Sequence, residues 1–246
     1  WEMVDLVDAT EPQGRYGHGM AYDTARRRVV LFGGSSLFYD PIGVTGVPTT
    51  KAFGDTWEYD SLTARWHNVS PDVGEGPSPR SEVAMAYHEP SQHVFLFGGL
   101  AEDASGDCEG GAHPTKCVLD DLWGFDGQQW THELDNADEA PAGRSGAAMA
   151  YDGDRGVVTL FGGYVEIAAE DTDSEISATD TWELDGSDWT QVARLDLNSA
   201  SGDGRPFGVI GAAAAYDSTR NTMLLFGGYT QNYETSFGSD GWAGSV

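Results

Sequence analysis

Arg15, Arg80 and Arg144 each stand seven residues before a tyrosine, Tyr22, Tyr87 and Tyr151. A guanidinium is a planar fork of donors that fits a carboxylate through two hydrogen bonds. Three of them in so acidic a chain point to one of two chemistries: reception of a carboxylate or another anion, or structural pairing of each with a neighbouring Asp or Glu. At the fourth corresponding position the chain has Val209, with Arg205 displaced.

A second group of candidates is acidic. Asp171, Asp173 and Glu175 alternate along one short stretch, with Glu166 and Glu170 before them. Alternating carboxylates suit a hard cation such as calcium. The stretch lacks the glycine and the distant glutamate of an EF-hand loop, so a solvated acidic loop is the competing reading. Cys108 and Cys117 are the only cysteines and sit in one Gly/Asp-rich segment. Closing that short loop as a disulfide would add roughly 2 to 3 kcal/mol, whereas a metal site would need more Cys or His ligands than the segment provides. The disulfide is the expectation, and with it an oxidising compartment. The six histidines, His18, His67, His88, His93, His113 and His132, show no metal-ligand spacing, and neither G-x-S-x-G nor a P-loop is present. Asn68-Val69-Ser70 meets the three-residue glycosylation pattern, which is common by chance.

Composition narrows the partners. A net charge of -27 with only two lysines, Lys51 and Lys116, argues against nucleic acid or an anionic membrane surface, since phosphates would be repelled. There is no apolar run approaching the length of a membrane span. Eight tryptophans among abundant aromatics supply enough bulky apolar surface for a core and reject disorder. The start at Trp1 and not at Met implies a processed or truncated beginning.

The elements that must position these residues recur. Val29 to Gly34, Val94 to Gly99, Val157 to Gly163 and Met223 to Gly228 are short apolar runs stopped by Phe-Gly-Gly, and Gly33, Gly98, Gly162 and Gly227 follow at intervals of 65, 64 and 65 residues. A fixed period of this length marks a repeat architecture. Each run is too short for a helix and reads as a strand buried on both faces, with glycines permitting positive φ and close backbone approach at its end. Upstream of each lies a run ending in Ala-Tyr then Asp or His, Gly17 to Asp23, Glu82 to His88, Gly146 to Asp152 and Gly211 to Asp217, joined to it by a polar turn. That is a hairpin. Its small residues suit a strand crowded against its counterparts near an axis. Downstream come Asp55-Thr56-Trp57, Asp121-Leu122-Trp123, Asp180-Thr181-Trp182 and Asp240-Gly241-Trp242, then runs opening at Trp66, Trp130 and Trp189; the missing fourth of these stands at the N-terminus as Trp1-Glu2-Met3-Val4.

Hydrophobic strand, Gly-Gly, then aromatic and tryptophan at set offsets resembles the kelch repeat, over essentially the whole chain, although these repeats are longer than the roughly 50 residues usual for kelch. The resemblance implies an all-β single domain over residues 1–246: a β-propeller of four four-stranded antiparallel blades around a channel, closed by Trp1 to Leu6 as the outer strand of the last blade. A part of a larger propeller, or strands supplied by a neighbouring chain, are the alternatives.

In such a blade the link from second to third strand and the link into the next blade emerge on one face. The insertions Ser35 to Gly54, Leu100 to Asp120, Tyr164 to Thr179 and Tyr229 to Ser239 therefore gather on one rim, where binding usually lives. The same rim receives the three arginines, either for a ligand or to tie blades together. Arg15, Arg80, Arg144, Tyr164 and Tyr229 form the candidate ligand-binding set. The function expected is a non-catalytic extracellular or cell-surface module that binds a protein or glycan, with no cofactor beyond the calcium considered above. A propeller enzyme with its site at the channel mouth is the alternative, since enzymes such as copper oxidases and lyases resemble kelch rings, but no catalytic residue matches theirs. A self-assembling structural subunit stands behind both.

Overall fold

The computed structural model describes residues 11–38, 49–72, 74–102, 116–133, 140–168, 173–186, 188–193, 208–230 and 242–243. All regular structure among them is antiparallel strand, with no helix. In the first repeat Gly19–Asp23, Arg28–Phe32, Thr56–Asp60 and Arg65–Asn68 form a sheet in that order. The third repeat matches it with Ala148–Asp152, Val157–Phe161, Thr181–Leu184 and Trp189–Ala193. The second uses Ala84–His88, His93–Glu102, Lys116–Phe125 and Trp130–Glu133. In the fourth, Ala213–Asp217, Thr222–Phe226 and Trp242–Ala243 are described. Each repeat is therefore one blade, and the hairpin expected between first and second strands is present in all four.

The first three insertions, expected as loops, begin as two-stranded ribbons. Ser35–Phe38 pairs with Thr49–Ala52, and Tyr164–Ala168 with Asp173–Ser177. In the second blade the long strands His93–Glu102 and Lys116–Phe125 run on past the sheet, with an irregularity between Leu119 and Leu122 where sheet becomes ribbon. Extended pairing satisfies backbone groups that a loop would leave to water.

Blades pack in chain order. Val30 and Phe32 meet Met85, Leu96 and Trp130 across the first interface, and Phe95 and Phe97 meet Leu160, Trp182 and Trp189 across the second. Phe32 lies edge-on to Trp130 at 5.4 Å, and Phe97 edge-on to Trp189 at 5.3 Å. One blade's Phe of Phe-Gly-Gly thus meets the next blade's outer tryptophan, an arrangement aromatic rings favour. The third interface is smaller: Ala148 and Phe161 against Leu225.

In the first three blades the surroundings of the first glycine of the pair explain its recurrence. At Gly33, with φ of 67°, an added Cβ would lie 2.5 Å from the carbonyl oxygen of Arg80 in the next blade; at Gly98 and Gly162 the obstacles are the carbonyls of Arg144 and Val209, at 2.5 and 2.6 Å. Any side chain there would push two blades apart. The second strands are buried on both faces as expected in the first three blades, whereas Phe226 in the fourth is 73% exposed. Trp1 to Leu6, assigned to ring closure, and Asp240 lie outside the described residues.

Candidate functional site

The three arginines sit just before the first strands, at the ribbon end of each blade. Arg15 donates to both carboxylate oxygens of Asp55, at 2.5 and 2.9 Å, and to the carbonyl of Gly33 at 2.9 Å. Arg80 likewise holds both oxygens of Asp121 and reaches the Gly98 carbonyl at 3.2 Å. Arg144 holds Asp180 at 2.7 and 3.0 Å and the Gly162 carbonyl at 3.1 Å. In each case the same aspartate accepts the indole N–H of the tryptophan two residues on, Trp57, Trp123 or Trp182, at 2.6 to 2.7 Å. The Asp of the Asp-x-Trp motif is thus a shared acceptor. Burial opposes ionisation of Asp55 and Asp121, but the hydrogen bonds from Arg15 and Arg80, with those from Trp57 and Trp123, outweigh it and hold both carboxyls below the usual carboxylate range.

These ion pairs close within one blade. At these positions the tying of neighbouring blades, the structural role expected of the arginine side chains, falls instead to main-chain atoms: Gly34 N–H donates to the Arg80 carbonyl at 2.9 Å, and Gly163 N–H to the Val209 carbonyl at 2.8 Å. Val209 therefore keeps the bond between blades without any arginine. The side chains of Arg15, Arg80 and Arg144 are 1 to 3% exposed.

The opposite end of the blades carries a second set. Arg26 bridges Asp23 and Glu58, Arg155 bridges Asp152 and Glu183, and Arg220 pairs with Asp217. The second blade has His88 and Gly124 at the Asp and Glu positions of this set. Buried His88 bonds Ser91 Oγ through Nδ1 at 2.8 Å and, through Nε2, the Gly156 carbonyl of the third blade at 2.9 Å.

Ribbons and arginines share one face because matching residues pair in every blade: Tyr16 with Ser35, Ser81 with Leu100, Ser145 with Tyr164, and Ile210 with Tyr229. Of the tyrosines assigned to the rim, Tyr164 is 8% and Tyr229 62% exposed. Asp173 and Glu175 lie on Asp173–Ser177, opposite Ala168 and Glu166, while Asp171 falls outside the described residues. Among the described residues no group of three or more His, Cys, Asp or Glu is placed to hold a metal ion. Cys117 faces Ala101 on the second ribbon and is not a free thiol; Cys108 lies outside the described residues.

Inward of the ribbons a chain of main-chain hydrogen bonds links the blades. Glu82 N–H donates to the Gly17 carbonyl at 2.6 Å, Gly146 N–H to the Glu82 carbonyl at 2.8 Å, and Gly211 N–H to the Gly146 carbonyl at 2.7 Å. The four residues are equivalent in the repeat, and all have positive φ, from 57 to 71°. Only Glu82 carries a side chain. Sequence reasoning aligned Glu82 with the three glycines but drew nothing from it; a lone non-glycine in an otherwise glycine column was the available signal.

The family model described as the KLHDC2/KLHL20/DRC7 Kelch-repeats domain matches residues 1–195. The chain is also similar in fold to the solved structure of YjhT, at 20% identity and a TM-score of 0.57, over 87% of this chain and 59% of that one. It therefore spans less than two thirds of that protein's length.

Proposed function

Because the chain belongs to the kelch-repeat family of β-propellers, we propose that it is a non-catalytic interaction module that holds a protein partner on its ribbon face. One observation carries this reading. The pairings at Tyr16, Ser81, Ser145 and Ile210 anchor all four insertions to the same end of the blades, and each anchor is backed by a rigid sheet. Variable segments on a rigid scaffold are a common solution to recognition. The buried arginines set the ribbon bases, and exposed Tyr229 is the contact residue of the original set. We place the chain in an oxidising, extracellular setting, where a Cys108–Cys117 bond would staple the second ribbon.

The test is a protein and glycan binding screen with the purified chain, repeated with the third ribbon cut back to a tight turn between Val165 and Ile176. A protein partner that is lost on shortening, with the melting temperature retained, supports the reading. A partner bound equally by the shortened chain, or a glycan ligand alone, overturns it.

A further inference from the structure

Glu82 is the one side chain at the inner hydrogen-bonded positions, where Gly17, Gly146 and Gly211 stand in the other blades. Its φ of 57° is one that glycine adopts freely and a glutamate does not, so the side chain is held at a backbone cost. One carboxylate oxygen, Oε2, accepts the hydroxyl of Ser145 in the third blade at 2.9 Å, which fixes the direction of the group. The other oxygen has no bonding partner among the described residues, and the residue is half-buried. Among the described residues no guanidinium pairs with it: Arg80, two residues before it, and Arg144, next to Ser145, are engaged by Asp121 and Asp180. Exposed Tyr229, where the fourth insertion begins, lies close enough to feel this charge: burial first, and then Glu82, push its phenol above the usual range.

An oriented carboxylate with one open oxygen, no internal cation, and an aromatic ring nearby is a receptor for an ammonium or guanidinium group. We propose that Glu82 anchors a lysine or arginine side chain of the partner at the inner edge of the ribbon face, with Tyr229 as the flanking aromatic. This rests on the reading of that face as an interaction surface. It also gives a reason for a glutamate in a glycine position: Ser145 alone, serving only the fold, would not need a negative charge.

The probe is an array of short synthetic peptides, each with one lysine or arginine, beside twins carrying acetyl-lysine or citrulline. Binding is measured at ~0.15 M salt, where diffuse attraction to an acidic chain is largely screened. Three variants are compared with the parent: Glu82→Gln, which keeps the acceptor for Ser145 and removes the charge; Glu82→Gly, which restores the glycine; and Glu89→Gln, an exposed carboxylate at the far end of the blade. The expected result is a subset of basic peptides bound about tenfold or more weakly as neutral twins and about tenfold or more weakly by both Glu82 variants. Glu89→Gln should leave them unchanged, and Glu82→Gly should melt no lower than the parent. Basic and neutral twins bound alike, or equal losses in Glu89→Gln, would overturn the role of Glu82 while leaving the interaction face intact. So would a protein partner that requires the ribbons yet is indifferent to Glu82→Gln. If neither peptides nor proteins bind the parent chain, the reading of the face fails and Glu82 with it.

Discussion

Arg144 holds Asp180 through both terminal nitrogens, and neither side chain is more than 6% exposed. Removing only one partner strands the other charge in the interior. Asp180→Ala should therefore cost about 3 to 5 kcal/mol in chemical denaturation. Replacing both residues with leucine or methionine should cost far less, because no charge is left unpaired. Equal losses in the single and double variants would show that packing, and not the buried charge, sets the effect.

Acid should dissolve two of the clips. The folded carboxyls of Asp55 and Asp121 lie below their ordinary values, so protons bind the unfolded chain more readily than the folded one. Their contribution is complete above the unfolded carboxylate pKa of about 4 and is lost as pH falls through the lower folded values. The parent and an Asp55→Asn, Asp121→Asn variant should differ in urea midpoint at pH 7 and converge in acid, once both carboxyls are protonated in the folded chain as well as the unfolded one. Measuring the difference removes the general relief of repulsion that acid brings to a chain of charge -27.

His88 does for the second blade what an Asp and an Arg do in the others, but it reaches across to the third. His88→Ala leaves the Gly156 carbonyl without this partner and should destabilise by about 1 to 3 kcal/mol. Hydrogen exchange should show the opening at the turns of the second and third blades and not at the ribbons.

Peptide mapping under non-reducing conditions should recover Cys108 and Cys117 in one linked fragment. Two free thiols in protein purified from an oxidising compartment would remove the argument for an extracellular setting.

Much of the fold was legible because repetition multiplies weak signals. Phe-Gly-Gly, Ala-Tyr-Asp and Asp-x-Trp each recur at one period, and Phe32, Phe97 and Phe161 are buried where that pattern puts them. The ribbons were not legible. Ser35–Phe38 and Thr49–Ala52 carry no alternation strong enough to mark a strand, since their pairing is set by the sheet they extend. The arginines were found by their spacing, but their partners were not, because Arg80 and Asp121 are 41 residues apart and meet only through the order of strands. Val209 marked the limit of that reasoning: it departs from arginine yet keeps the main-chain bond to Gly163.

Each arginine clip closes inside its own repeat, and the bonds that recur from joint to joint run from main chain to main chain, so losing a clip in one repeat leaves those recurring bonds in place; the side-chain contacts between repeats, such as Trp130 with Thr56, Glu82 with Ser145 and His88 with the Gly156 carbonyl, are particular to each joint. A repeat is then a unit of inheritance. Copied in tandem, it would bring its own clip and offer its neighbours the same main-chain donors and acceptors, so a change of blade number by duplication would carry the backbone joint with it and leave only the side-chain contacts of the interface to be refitted.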